Sequence, residues 1–113
     1  MDPMVPEQWR TRVCFILDSG DRKNIMIRKR ALDDWSALFP TLFPGDLLTA
    51  LSEGLKEPDL MNKEVLFMQE LGETYEFIFT YQGKRVYAKI NLSPDNKLII
   101  IYSAHRPLKG DKL

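Results

Sequence analysis

From Tyr75 onward the chain keeps a strict two-residue period. Tyr75, Phe77, Phe79 and Tyr81 alternate with Glu76, Ile78 and Thr80. After Gln82-Gly83, Val86, Ala88, Ile90 and Leu92 alternate with Arg85, Tyr87, Lys89 and Asn91. A period of two belongs to strands with one buried face. Gln82-Gly83 is a two-residue hairpin turn, which places Tyr81 opposite Lys84. Phe79 then opposes Val86, Phe77 opposes Ala88 and Tyr75 opposes Ile90, so one face is apolar throughout and needs a cover. The other face pairs Glu76 with Lys89, Ile78 with Tyr87 and Thr80 with Arg85, a mixture of charged and aromatic groups.

Upstream the period is 3.6. Leu32, Trp35 and Leu38/Phe39 mark a helix over Ala31 to Phe39, ended by Pro40. Leu47, Leu48, Leu51 and Leu55 form the stripe of a second, with Asp46 as its N-cap and Pro58 closing the segment. Two short helices therefore occupy roughly 31–57. Val65 to Met68 and Leu98 to Tyr102 read as further strands, the latter apolar on both faces like a central strand. Ser93-Pro94-Asp95-Asn96 reads as a type I turn. Val13 to Leu17, followed by Asp18-Ser19-Gly20-Asp21, reads as a strand with Ile25 to Ile27 as partner, while a helix over 24–39 competes for the same residues. Residues 1–9 read as a loose lead-in and 107–113 as a polar tail. The expectation is one α+β domain over 1–113. Two short helices pack on one face of a C-terminal antiparallel meander, with an N-terminal strand or hairpin.

A chain of 113 residues fits one domain and can bury a core without staples. Its 16 basic and 16 acidic side chains cancel, which argues against an open basic nucleic-acid binder but not against a local basic patch. Cys14 is the sole cysteine, so no intrachain disulfide forms. No signal-like leader and no long apolar run is present. These features point to a cytoplasmic protein with no membrane association.

One histidine and one cysteine make no zinc constellation, and neither a Gly-rich phosphate loop nor a G-x-S-x-G elbow occurs. No metal and no cofactor is expected. Asp33 and Asp34 are adjacent on a helix and point apart. The basic run Arg22, Lys23, Arg28, Lys29, Arg30 either meets phosphates or is a solvated face beside those acids. The segment Ile101-Tyr102-Ser103-Ala104-His105-Arg106 leaves a buried strand directly, and strand ends hold side chains on a rigid backbone. Histidine exchanges protons near neutrality, and arginine grips phosphate in a fork. With Lys89 and Tyr87 on the neighbouring strand, the set suits RNA cleavage by the 2′-hydroxyl. A plain surface histidine and an ordinary Glu76–Lys89 cross-strand pair are the competing reading. Pairing Ser93 with Asn96 sets Tyr87 opposite Tyr102 and Lys84 opposite His105, with His105 on the core side. A loop one residue longer sets Arg85 beside Ser103 and His105 on the open face.

Val86-Tyr87-Ala88-Lys89-Ile90, a short turn and Leu98-Ile99-Ile100-Ile101-Tyr102-Ser103 resemble the end of MqsR-like toxins. There a V-Y-x-K-I strand precedes a hydrophobic strand with a serine-aromatic-basic ending. Arg30-Ala31-Leu32 and the helix within Gly45 to Glu53 run in parallel with that family, helices first and sheet after. The resemblance covers roughly residues 28–106 and extends to RelE-like interferases and to barnase-, EndoU- and colicin-type RNases. It implies a metal-independent endoribonuclease acting on RNA, including ribosome-bound mRNA, and a neutralising antitoxin or immunity protein. Lys89 is the residue carried over most directly, followed by Tyr87, Tyr102 and Ser103, with His105 and Arg106 at the strand end. Lys84, Arg85, Arg28, Lys29 and Arg30 are the candidate RNA contacts. The chain departs from the family in lacking net positive charge. The alternative is a non-enzymatic binding protein (an inhibitor, immunity protein or phage-type effector) acting through protein–protein contacts.

Overall fold

A computed structural model describes residues 5–66, 68–110 and 112–113. In chain order the elements are α1 (Glu7–Ser19), β1 (Ile25–Ile27), α2 (Lys29–Leu38), α3 (Pro44–Leu55), β2 (Met61–Val65), β3 (Glu73–Tyr81), β4 (Lys84–Leu92) and β5 (Ile99–His105). The sheet order is β1-β5-β4-β3-β2. Strands β2 to β5 form the antiparallel meander, and β1 joins it in parallel beside β5. The α+β class stands. The sheet is mixed, and a third helix precedes the two expected.

That first helix corrects the reading of Val13 to Leu17 as a strand. Trp9, Val13, Ile16 and Leu17 recur at helical spacing and are all buried. Within 13–17 alone the apolar run is continuous, and periodicity cannot distinguish a buried strand from a buried helix over so short a stretch. Residues 7–9, read as part of a loose lead-in, belong to this helix: Trp9 is 3% exposed and its indole N–H donates to the Glu73 carbonyl at 3.0 Å. Gly20, left-handed at φ 64°, caps the helix, with its N–H on the Leu17 carbonyl. Ile25–Ile27 is a strand, but its partner is β5.

Helix α2 starts two residues earlier than expected and stops before Pro40. Helix α3 begins at Pro44, a residue suited to the first helical position. Asp46 is therefore not the N-cap. It sits in the first turn and accepts the Phe43 N–H at 2.7 Å. The strand read at Val65 to Met68 is instead Met61–Val65, with Phe67 outside the described residues. This strand is an edge whose Lys63 and Glu64 are exposed while Asn62 is half-buried opposite Phe77. Edge strands are commonly charged, and so they lack the apolar pattern of interior ones.

The hairpin turn has positive φ at both Gln82 (48°) and Gly83 (78°), the pattern whose twist matches paired strands. The β3–β4 register is the expected one throughout. Helix α2 packs chiefly on β5, α3 on β3 and α1 on α3. Phe77, Phe79, Val86, Ala88, Ile90, Ile99, Ile101 and Ala104 turn toward these helices and join Trp35, Leu47, Leu51 and Leu55 in the core. Where α3 crosses β3, Gly54 lies against the Phe79 ring so closely that an added Cβ would collide with it. Gly54→Ala is expected to destabilise the protein by about 1–3 kcal/mol through overpacking, read as a lowered urea midpoint. An unchanged midpoint would show that Phe79 can move aside.

Candidate functional site on the open face of the sheet

The loop from β4 to β5 spans residues 93–98. Asn96 N–H bonds to the Ser93 carbonyl and Ser93 N–H to the Leu98 carbonyl. Leu92 thus pairs with Ile99 and Ile90 with Ile101, and neither register considered from sequence occurs. A bulge then intervenes. Lys89 pairs with Ser103 and Tyr87 with His105, so Tyr102 is the extra residue of β5. Before the bulge Ile99 and Ile101 face the core; after it Ala104 does. Ser103 and His105 consequently turn to the open face. Two cross-strand rows result, Glu76–Lys89–Ser103 and Ile78–Tyr87–His105. Directly opposed side chains in such rows are roughly 5 Å apart at Cβ.

Tyr87 stacks on His105, with ring centroids 4.8 Å apart and planes at 20°. The Tyr87 hydroxyl donates to Glu76 Oε2 at 2.5 Å. Burial, then this bond and the carboxylate charge, raises the Tyr87 pKa well above its ordinary value. His105 Nδ1 lies 2.7 Å from the Arg106 carbonyl oxygen. That oxygen can only accept, so Nδ1 carries a proton and Nε2 remains for a ligand. Glu76 is flanked in register by Lys63 on one side and Lys89 on the other, yet forms an ion pair with neither. The ammonium of Lys89 instead lies 5.6 Å from the centroid of the Tyr102 ring, and the Arg28 guanidinium is 5.5 Å from the same centroid. Arg28 also pairs with Glu70 at 3.0 Å, tying the segment after β2 to this wall. Burial raises the Tyr102 pKa, with Arg28 acting against it.

These residues border a groove of about 440 Å³ lined by Glu76, Tyr87, Lys89, Tyr102, Ser103 and His105, with Arg30 from α2. Leu108, Lys109, Lys112 and Leu113 complete its wall. Five of the six candidate catalytic residues are thus brought together. Arg106 does not line the groove itself: beyond the strand end it borders an adjoining hollow, with Asp34, Ala37 and Leu38, that shares Arg30, His105 and Leu108 with the groove. The candidate RNA contacts divide. Arg30 reaches the groove and Arg28 stands behind Tyr102. Lys29 is taken by Asp33 at 2.6 Å. Lys84 donates to the Leu38 carbonyl at 2.6 Å, closing the C-terminus of α2. Arg85 donates to Thr80 Oγ1 at 2.9 Å, at the hairpin end of the sheet. Lys109 and Lys112 were read as part of a polar tail. Their signal was only a pair of lysines beyond the last strand, which has no meaning until the chain is seen to turn back.

No family model, no curated protein and no solved structure matches this chain. Among the described residues no helix is long and apolar enough to cross a membrane.

The tyrosines couple stability to alkaline pH. Tyr75 is pushed up to about 12, by burial first and then by the Glu64 and Glu73 charges, and Tyr87 is raised by the causes above. A raised pKa means that the folded state holds the proton more tightly. The stabilisation is complete below the ordinary value near 10 and is lost as pH climbs through the raised values. Tyr87→Phe is expected to flatten part of the fall in urea stability as pH rises from about 10 to 12, while costing about 1 kcal/mol at pH 7. Superimposable pH curves for variant and wild type would contradict the assignment.

Proposed function

We propose that this protein is a metal-independent endoribonuclease of the toxin type. The observation that carries the reading is the meeting of Lys89, Ser103 and His105 with the Tyr87–Glu76 pair in one open groove. Over residues 28–106 helices α2 and α3 precede strands β2 to β5, an order that supports the resemblance to MqsR-like and RelE-like toxins. His105 Nε2 takes the proton from a ribose 2′-hydroxyl. The 2′-oxygen attacks the adjacent phosphorus, and the Lys89 ammonium and Ser103 hydroxyl stabilise the crowded, charged phosphorane. The bond from phosphorus to the 5′-oxygen breaks, and that oxygen takes a proton from Lys89. The products are a 2′,3′-cyclic phosphate and a 5′-hydroxyl. Tyr87, held by Glu76, fixes the imidazole plane by stacking. Under this reading the protein works in the cytoplasm and is held in check by an antitoxin or immunity protein.

A second reading, a binding protein without catalysis, is favoured by one feature. An apolar hollow of about 510 Å³ adjoins β1, bordered by Met26, Leu98, Ile100 and Leu71. Met26, Leu98 and Leu71 are exposed there, and exposed apolar clusters mark contact surfaces.

Incubation of purified protein with total RNA separates the two. Wild type should leave 5′-hydroxyl and cyclic-phosphate ends. Lys89→Ala and His105→Ala should each slow cleavage by about 10²–10⁴-fold while keeping the wild-type circular dichroism. Intact RNA after incubation with folded wild type at micromolar concentration would discard the ribonuclease reading.

A further inference from the structure

The two edges of the sheet are built differently. β2 carries Lys63 and Glu64, charges of the kind with which edge strands discourage further pairing. β1 is Ile25-Met26-Ile27, without a charge, a proline or a bulge. Its phase against β5 is fixed by two bonds at 3.0 Å, from the Ile99 N–H to the Asn24 carbonyl and from the Arg28 N–H to the Ile101 carbonyl. Alternate residues of a parallel strand bond to one neighbour, so Met26 turns its N–H and C=O to β5. The N–H and C=O of Ile25 and Ile27 turn away from β5, and no other backbone group among the described residues bonds to these four. An edge in this state accepts a further extended segment through its backbone.

The side chains beside this edge indicate what such a segment carries. Met26 pairs with Ile100, and with Leu71 and Leu98 they border the hollow of about 510 Å³. A strand laid along β1 puts every second side chain on that face, where an apolar group enters the hollow. Arg22 and Lys23 stand at the rim, exposed, and form no ion pair with a described residue. The acids nearby are engaged. Glu70 holds Arg28, Asp21 accepts the Lys23 N–H, and Asp95 accepts from the Ser93 hydroxyl and the Lys97 N–H. A second copy of this chain fits badly. Antiparallel pairing of two β1 strands about Met26 brings Arg22 and Lys23 of each copy toward Arg28 and Lys29 of the other and offers them no free carboxylate.

We propose that β1 is a docking edge for an extended acidic segment of a partner protein. The segment adds to the five-stranded sheet beside β1, seats an apolar side chain against Met26 and places carboxylates on Arg22 and Lys23. The hollow shares no lining residue with the groove of Lys89 and His105, and the docking edge does not depend on catalysis there.

The test uses the full chain and a capped, fluorescein-labelled probe peptide, Asp-Glu-Val-Thr-Val-Thr-Val-Asp-Glu. Binding is read by fluorescence anisotropy and by amide exchange in NMR spectra. The Ile25 and Ile27 amides should exchange at least about tenfold more slowly with the probe bound, whereas the Met26 amide is protected with or without it. N-methylation of alternate residues along one edge of the probe should abolish binding, and along the other edge should leave it within about threefold. Arg22→Gln/Lys23→Gln should weaken binding about three- to tenfold at low salt and little at high salt. Met26→Glu should weaken it at least about tenfold, and Met61→Glu on the β2 edge should match wild type. All these substitutions replace exposed side chains, and each variant is checked for the wild-type circular dichroism. No binding at about 1 mM probe would overturn the proposal. So would binding without protection of Ile25 and Ile27, equal loss with both N-methylated probes, or protection of the same amides by single-stranded RNA instead of the peptide. A wild-type dimer that Met26→Glu abolishes would assign the edge to a second copy and overturn it as well.

Discussion

One extra residue in β5 determines where the chemistry of this protein can lie. Strand side chains alternate, and β5 begins with Ile99 and Ile101 in the core. Continued without interruption, that alternation would bury Ser103 and His105 and expose Ala104. The bulge at Tyr102 reverses the parity. Ala104, the smallest of the four, goes inward under α2, while Ser103 and His105 emerge beside Lys89 and Tyr87. A bulge costs a ladder position and bends the strand, and such features concentrate at functional sites, where they re-aim side chains. Tyr102 itself is held between the Arg28 and Lys89 cations.

The electrostatics of the open face follow from a choice made by Glu76. It has a lysine on either side in the sheet and closes on neither. Its partner is the Tyr87 hydroxyl, diagonal to it across β4. A half-exposed ion pair contributes little, whereas a charged acceptor on a partly buried hydroxyl makes a stronger bond. This choice leaves the ammonium of Lys89 over an aromatic ring, unneutralised and facing the groove. It also orients the Tyr87 ring on which His105 stacks. Arg30, Lys109 and Lys112 add to the same field from a helix and from the segment after β5. Among the described residues that line the groove, four are basic and only Glu76 is acidic, a local gathering that composition alone cannot reveal.

Behind the site, rigidity comes from close approach of the helices. Gly54 lets α3 lie directly on Phe79, and Trp9 anchors α1 to the start of β3 through Glu73 and an edge contact with Tyr75, centroids 4.9 Å apart. Lys84 ties the hairpin end of β4 to the C-terminus of α2. The strands that carry the site are therefore braced by core contacts on one face, while the other is covered only in part, with Thr74, Ile78 and Asn91 buried. Such an arrangement holds polar side chains in fixed relation without burying them.

The alternation from Tyr75 to Leu92 determined the β3–β4 hairpin down to its register, because a two-residue turn and a wholly apolar face admit one pairing. The leucine and tryptophan stripes likewise determined α2 and α3. Lys89, Ser103, His105, Tyr87 and Tyr102 were legible as a group because they lie on two neighbouring strands near one end. Other features were decided only by tertiary structure. Helix α1 was hidden by a continuous apolar run whose period is visible only with Trp9 included. Strand β2 was hidden by the polarity of an edge. The sequence read from Ser93 to Ile99 allows several loop lengths, and the bulge at Tyr102 leaves no mark in residue type, so the face occupied by His105 stayed open. Removal of Arg106 from the groove and return of Lys109 and Lys112 to it depend on the path of the chain after β5. Local pattern sets which side chains share a face, but their approach across strands and segments is set by packing, which minimises voids and unpaired polar groups over the whole molecule.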